Sequence, residues 1–299
     1  MPAAAGTLLS PELLERLGGL EIIARRVVGG FVAGRHRSPH RGSGEEFARH
    51  RPYQQGDDLR YLDWKLYGRT DRLYAREFRE ESNLRAYLVL DGSRSMAYAG
   101  RSGLTKHRYA VLLAAVLGHL MLASSDAVGL ATFGGGDRLL LPPRNRKGHL
   151  HDLLLQLERL STDGAGGASR VLDRVGERLP RRGRVILISD LLEPDDGDFL
   201  LSAVGRLRAR GDEVMVMRIL TPAELGDEPP GAGRFFDPES PEQEIPAVPE
   251  KDQGYTRRLG RYYARLAAGL RDRGAEYLPL TTRDPLERAL AVWVAARGV

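Results

Sequence analysis

The sequence predicts an α/β fold: a mostly parallel sheet covered by helices on both faces, preceded by a small N-terminal segment. Three observations predict it. From Leu84 onward, short apolar runs alternate with stretches of helical periodicity, which is how a sheet joined by crossover helices reads. Two of those runs, 84–90 and 185–188, lead into carboxylates at Asp91 and Asp190. Gly134-Gly135-Gly136 separates two adjacent runs, 128–133 and 138–141, as a hairpin requires.

Taken in order, residues 1–83 are polar, with Arg and Gly prominent. Ser10-Pro11 supplies an N-cap and a proline at the first helical position, so a short helix through Leu13, Leu14 and Leu17 is expected to end at Gly18-Gly19. The basic stretch 36–44 reads as a solvated connector. After the first strand, Tyr109, Leu112, Leu113, Val116, Leu117, Leu120 and Met121 recur at helical spacing. Helices follow through Leu150, Leu153, Leu154, Leu157 and Leu160, and through Val171, Leu172, Val175 and Leu179. The strand 185–188, a helix through Phe199, Ala203, Val204 and Leu207, and the strand 214–217 continue the alternation. Residues 225–253 are rich in Pro, Gly and acidic side chains and read as an inserted loop. Tyr255, Leu259, Tyr262, Tyr263, Leu266 and Leu270 line one helix face, and 277–280 form a last strand. Asp284-Pro285 then starts a final helix, with Glu287 at the capping-box position. The expected division is 1–83 for the N-terminal segment and 84–299 for the α/β domain.

Composition narrows the function. Apolar residues make up 42% of the 299, enough for a well-filled core. Lys and Arg number 45 against 40 Asp and Glu, a net charge of +5, too small a surplus over this length to argue for nucleic acid. With no cysteine, thiolate nucleophiles, disulfides and cysteine-based zinc sites are excluded. The chain opens without a secretory signal pattern and holds no run of about 18 apolar residues, so a cytoplasmic protein without membrane insertion is expected.

In open α/β sheets, ligands bind beyond the carboxyl ends of the strands. Asp91 and Asp190 occupy that kind of position, and they face one crevice if their strands are neighbours. Asp91-Gly92-Ser93-Arg94-Ser95 alternates one carboxylate and two hydroxyls along a tight loop that Gly92 lets turn sharply. All three are hard oxygen donors, which suit a small hard cation such as Mg2+. The plainer alternative is that the hydroxyls cap the structure that follows.

This strand-Asp-x-Ser-x-Ser arrangement resembles the metal-ion-dependent adhesion site of von Willebrand factor type A domains. The resemblance implies a doubly wound six-stranded sheet, order 3-2-1-4-5-6, with one antiparallel edge strand and the strands before Asp91 and Asp190 adjacent. A second resemblance is more specific. Arg51-Pro52-Tyr53-Gln54-Gln55-Gly56-Asp57-Asp58-Leu59-Arg60-Tyr61-Leu62-Asp63-Trp64 looks like the signature of the bacterial family called domain of unknown function 58. Arg76-Glu77-Phe78-Arg79-Glu80-Glu81, Gly42-Ser43-Gly44-Glu45-Glu46-Phe47 and Phe235-Phe236-Asp237-Pro238-Glu239 fit the same family. Carried over position by position, the metal site comprises Asp91, Ser93, Ser95 and Asp190. The type A pattern also has a threonine on a separate loop, and Ser169 is the matching residue here. The resemblance implies Mg2+, with Mn2+ or Ca2+ as alternatives, and a protein partner: a MoxR-type AAA+ ATPase together with its client.

Arg51, Tyr53, Asp57, Asp58, Arg60, Asp63 and Trp64 admit two readings, a buried-edge ion-pair network around Trp64 or a second surface for the partner; the first is favoured. Enzyme readings find little. There is no phosphate-binding Gly-rich loop, no nucleophile elbow around Ser93 or Ser95, and His149 and His151 point apart on a helix and are expected at the surface. The best rival is a metal-dependent nuclease or nucleic-acid-binding protein, with Asp58 and Asp63-Trp64-Lys65 as a short Asp…Asp-x-Lys site.

Overall fold

The computed structural model describes residues 19–35, 47–52, 63–78, 84–100, 103–135, 138–165, 167–193, 195–227, 235–237, 240–245 and 253–296. They divide into two units, at Val32/Ala33 and at Asn83/Leu84.

In the smaller unit, β1 (Phe47–Pro52) pairs antiparallel with β2 (Tyr74–Phe78), and Arg51 stands opposite Ala75. Between them lies the short helix α2 (Trp64–Thr70). Its start is chemical: the Asp63 carboxylate accepts from the Leu66 N–H at 3.0 Å, satisfying one of the donors that a helix N-terminus leaves over. Of the network expected at this point, the structure describes the side chains of Asp63 and Trp64. The Trp64 side chain is 62% exposed and meets Tyr67 edge-on, with ring centroids 6.4 Å apart; the Asp63 cap, not burial of the indole, sets this helix. Tyr53, Asp57, Asp58 and Arg60 lie outside the described residues, as do the helix expected at 10–17 and the basic stretch 36–44.

The larger unit begins with α1 (Leu20–Arg35), as far as Val32, and continues with β3 (Arg85–Asp91), α3 (Lys106–Ala123), β4 (Ala127–Phe133), β5 (Arg138–Arg144), α4 (His149–Glu158), α5 (Ser169–Arg178), β6 (Arg184–Ser189), α6 (Asp198–Ala209) and β7 (Glu213–Leu220). It ends with β8 (Phe235–Asp237), β9 (Ser240–Ile245), α7 (Gln253–Asp272), β10 (Glu276–Thr281) and α8 (Leu286–Ala296). The sheet runs β5-β4-β3-β6-β7-β10. Every neighbouring pair is parallel except β4 with β5. Counting sheet strands along the chain, this is the expected 3-2-1-4-5-6 with an antiparallel edge.

Side chains of the central strands alternate between two cores, as a period of two demands. Leu88, Leu90, Ile186, Ile188, Met215 and Met217 join α1, α3, α4 and α8 on one face. Tyr87, Val89, Val185, Leu187, Val214 and Val216 join α5, α6 and α7 on the other. Each fully buried Leu, Ile or Val contributes about 1.5–3 kcal/mol, and both sheet faces are lined with them. This holds the carboxyl ends of β3 and β6 side by side.

Three features differ from the sequence expectation. Helix α1 was not anticipated; Leu20, Ile23, Ala24, Val27 and Val28 bury one stripe in the first core, so part of the stretch 1–83 packs with the sheet. The inserted stretch 225–253, read as a loop, contains the antiparallel β8–β9 hairpin, with Phe235 opposite Ile245. His149, expected at the surface, is 1% exposed. Its Nε2 donates to the Val128 carbonyl at 2.6 Å, where the register of β4 against β5 shifts and leaves room for another donor. The Asp284 carboxylate accepts from the Thr281 N–H at 2.6 Å and from the Thr281 hydroxyl at 2.9 Å, and so closes the turn before α8.

Candidate metal centre

Strand β3 delivers Asp91 buried at its carboxyl end. The chain then turns under three constraints. The Gly92 N–H donates to the Phe133 carbonyl at 2.8 Å, and the Arg94 N–H to the Gly164 carbonyl at 2.9 Å. The Ser93 N–H donates to Asp91 Oδ1 at 2.8 Å, a local carboxylate turn that fixes the loop on its own first residue. The short 3-10 turn Arg94–Ala97 follows. The outcome is that the Ser93 and Ser95 hydroxyls lie 3.0 Å apart in buried positions, while Arg94 between them is exposed.

Two glycines outside the motif make this loop possible. At Gly134, φ is +89°, and a Cβ would collide with the Ser93 nitrogen. At Gly164, a Cβ would collide with the Gly134 carbonyl. The loop is therefore clamped between two stretches of bare backbone.

Strand β6 brings the second half. Leu90 is in register with Ile188, so Ser189 arrives beside Asp91. The Ser189 hydroxyl donates to Asp91 Oδ2 at 2.5 Å and accepts from the Leu191 N–H at 2.8 Å. Asp190, fully buried, accepts from the Leu192 N–H through Oδ1 at 3.1 Å and from Lys106 Nζ through Oδ2 at 2.7 Å. Lys106 Nζ also donates to Glu224 Oε1 at 2.7 Å. Glu224 is itself held, because its Oε2 accepts from the Thr221 N–H at 2.7 Å and the Thr221 hydroxyl at 2.9 Å. From α7, the Tyr263 hydroxyl donates to the Asp190 carbonyl at 2.9 Å and the Tyr262 hydroxyl to the Leu191 carbonyl at 2.6 Å. These bonds hold Leu191 at φ 59°, a left-handed conformation that is uncommon for a leucine.

The electrostatics follow from burial. Removing Asp91 from water raises its carboxyl from 3.8 to about 7, with the Asp190 charge adding to the effect and the Ser189 and Ser93 donors opposing it. Burial also lifts Glu193 from 4.5 to about 7, and Asp91 and Asp190 contribute. The Glu193 carboxylate accepts from the Ala168 N–H, at 3.2 and 3.3 Å. Burial alone would lower the Lys106 ammonium, but Asp190 and Glu224 outweigh it and hold it above the usual lysine range.

The structure thus brings Asp91, Ser93, Ser95 and Asp190 to one end of two adjacent strands. Ser169 opens α5, one residue after the Ala168 N–H that Glu193 holds. Asp63 serves as a helix cap, and Arg51 lies in β1. Sequence reasoning missed Lys106, Ser189, Glu193, Gly164 and Glu224. Only Glu224 carried a signal, since Thr221-Pro222-Ala223-Glu224 is a capping-box string.

The donor set fits a small hard divalent cation. It offers the Asp91 carboxylate and two hydroxyls, all hard oxygens, with a second buried carboxylate, Asp190, close enough to raise the pKa of the first. Among the described residues, no group of three or more His, Asp or Glu side chains could hold an ion. A cation here would therefore be held by Asp91, by the Ser93 and Ser95 hydroxyls and by water.

Several known proteins are similar to this chain. The uncharacterized protein Rv1480 of Mycobacterium tuberculosis is 27% identical over 296 residues, covering 98% of this chain and 92% of that protein. The solved structure of the conserved hypothetical protein BatB from Bacteroides thetaiotaomicron matches with a TM-score of 0.49 at 15% identity, over 71% of this chain and 98% of that one. The SpRpn10 VWA domain matches with a TM-score of 0.43 at 11% identity, over 69% and 94%. A family model described as protein of unknown function DUF58 matches residues 49–263, and the chain belongs to that family.

Proposed function

We propose that this chain is a non-enzymatic, metal-dependent protein-binding module that works as an adaptor beside a MoxR-type AAA+ ATPase. One observation carries the metal reading. Asp91, a buried carboxylate with two hydroxyls next to it in sequence, stands at the ligand end of the sheet and is pushed up to about 7 by burial and by Asp190. Such a group gains from a cation. Asp91, Ser93 and Ser95 would hold the ion directly, and Asp190, whose charge is already paired with the Lys106 ammonium, would act through water. Bound there, Mg2+ would supply a Lewis-acidic position for a carboxylate of the partner.

The protein-binding reading is supported by what surrounds the centre. Tyr98, Leu192 and Phe199 are 42%, 45% and 65% exposed. All three stand on the segments that leave the carboxyl ends of β3 and β6. Exposed aromatic and aliphatic side chains on the segments that leave a ligand site favour a protein partner over a small polar substrate. The ATPase part of the proposal rests on the family resemblance. The nuclease alternative has weaker support, since the Asp63 carboxylate is engaged as the cap of α2.

The test is affinity capture from native lysate on immobilised protein, in Mg2+ and again in EDTA. A partner retained only in Mg2+, and lost with Asp91→Ala, is the expected result. Equal capture by the parent in EDTA would overturn the metal-dependent reading.

A further inference from the structure

We propose that Lys106 is a counter-cation built into the centre: it neutralises Asp190 in place and so sets how loosely a divalent ion is held. The inference rests on the metal-binding reading above. Lys106 is the first residue of α3, where a lysine ordinarily reaches water with its ammonium and where a positive charge opposes the helix dipole. Here its side chain is 1% exposed, and the ammonium lies 2.7 Å from an oxygen of Asp190 and 2.7 Å from an oxygen of Glu224. Only the two carboxylates account for that placement, because a buried ammonium is tolerated when it is paired.

The consequence for an ion at Asp91, Ser93 and Ser95 has a sign. Lys106 draws Asp190 toward itself and places a positive charge beside the centre, so it competes with the ion for the same negative charge. Glu224, fixed by Thr221, takes a share of the lysine's charge and relieves that competition. The two partners therefore act in opposite directions. Removing the lysine charge strengthens cation binding, and removing the Glu224 charge weakens it. A purely structural role for Lys106 would make both variants weaker.

The experiment is Mn2+ binding to the full chain, followed by electron paramagnetic resonance, for the parent, Lys106→Met and Glu224→Gln. Lys106→Met is expected to bind Mn2+ at least about tenfold more tightly, and Glu224→Gln more weakly than the parent. Unchanged or weaker binding by Lys106→Met overturns the proposal. If that variant does not fold, Lys106→Gln, which keeps a polar end between the two carboxylates without the charge, decides in its place: tighter binding supports the assignment, and equal or weaker binding ends it. If no variant and no parent binds Mn2+, the metal reading of the previous section has failed. The counter-charge is then decided by urea denaturation in EDTA. Adding Asp190→Asn to Lys106→Met must recover most of the stability that the single change loses; no recovery overturns the proposal.

Discussion

The Ser189 hydroxyl donates to Asp91 Oδ2 across 2.5 Å, and this bond ties the ends of two neighbouring parallel strands at the point where the candidate centre begins. The same hydroxyl accepts from the Leu191 N–H at 2.8 Å, so one side chain serves both the charge on β3 and the strained turn after β6. Ser189→Ala would leave a buried N–H and a buried carboxylate oxygen short of a partner. Such orphaned groups cost about 1–3 kcal/mol each. A loss of about 2 kcal/mol in urea denaturation is the expected outcome; a change within error would mean that the turn is held by the two tyrosines alone.

The raised carboxyls predict a pH dependence with an unusual sign. In the folded chain, Asp91 and Glu193 keep their protons up to about 7; in the unfolded chain such groups release them near pH 4. Between those limits the folded state binds more protons, so stability falls as pH rises. Melting temperature in EDTA should decline from pH 5 to pH 8, and the gain on adding Mg2+ should be larger at pH 8 than at pH 5. A stability that climbs over this range would contradict the buried placement of both groups.

Asp91→Asn separates stability from ligand binding. It deletes the buried charge that Asp190 opposes while keeping a side chain of the same size. At pH 8 in EDTA the variant should be more stable than the parent, on the order of 1–2 kcal/mol, and the difference should vanish at pH 5. The melting shift caused by Mg2+ should be absent in the variant at both pH values. Retention of that shift would move the ion elsewhere.

How much of this was legible in the sequence depended on distance along the chain. Asp91, Ser93 and Ser95 sit within five residues and after an apolar run, so the string announced itself. Asp190 was legible because it also follows a strand, and the strand order that makes it a neighbour came with the resemblance. Lys106 was not legible, because its partners lie 84 and 118 residues away and a lysine in a first helical turn looks like any surface lysine. Helix α1 was legible as well: residues 20, 23, 24, 27 and 28 form a 3.6-period stripe, but a helix is expected only before Gly18-Gly19 and not over this stripe. Residue type argues for the burial of an indole and the exposure of a histidine, yet Trp64 is exposed and His149 is buried, the latter with its Nε2 bonded to the Val128 carbonyl.

Gly134→Ala tests whether the loop geometry, and not merely its composition, makes the centre. The substitution must place a side chain at φ +89° and against the Ser93 backbone. The left-handed backbone costs about 1–2 kcal/mol and the overpacking a similar amount, so a destabilisation of about 3 kcal/mol is expected. Mn2+ binding should be lost as well, although every proposed donor is still present. Full binding in a destabilised variant would show that the two serines reach the ion without the clamp.

Leu192→Ser with Phe199→Ser tests the apolar surroundings of the centre apart from the ion. Both side chains are exposed, and surface changes of this kind usually alter stability by no more than about 0.5 kcal/mol. Neither residue offers a donor to a cation, so Mn2+ affinity should match that of the parent. A partner captured in Mg2+ should nonetheless be lost or released far more readily, because apolar contacts beside an ion pair supply much of the affinity of a protein interface. If capture is unaffected while Asp91→Asn abolishes it, the partner reads the ion alone, and the exposed side chains belong to some other contact.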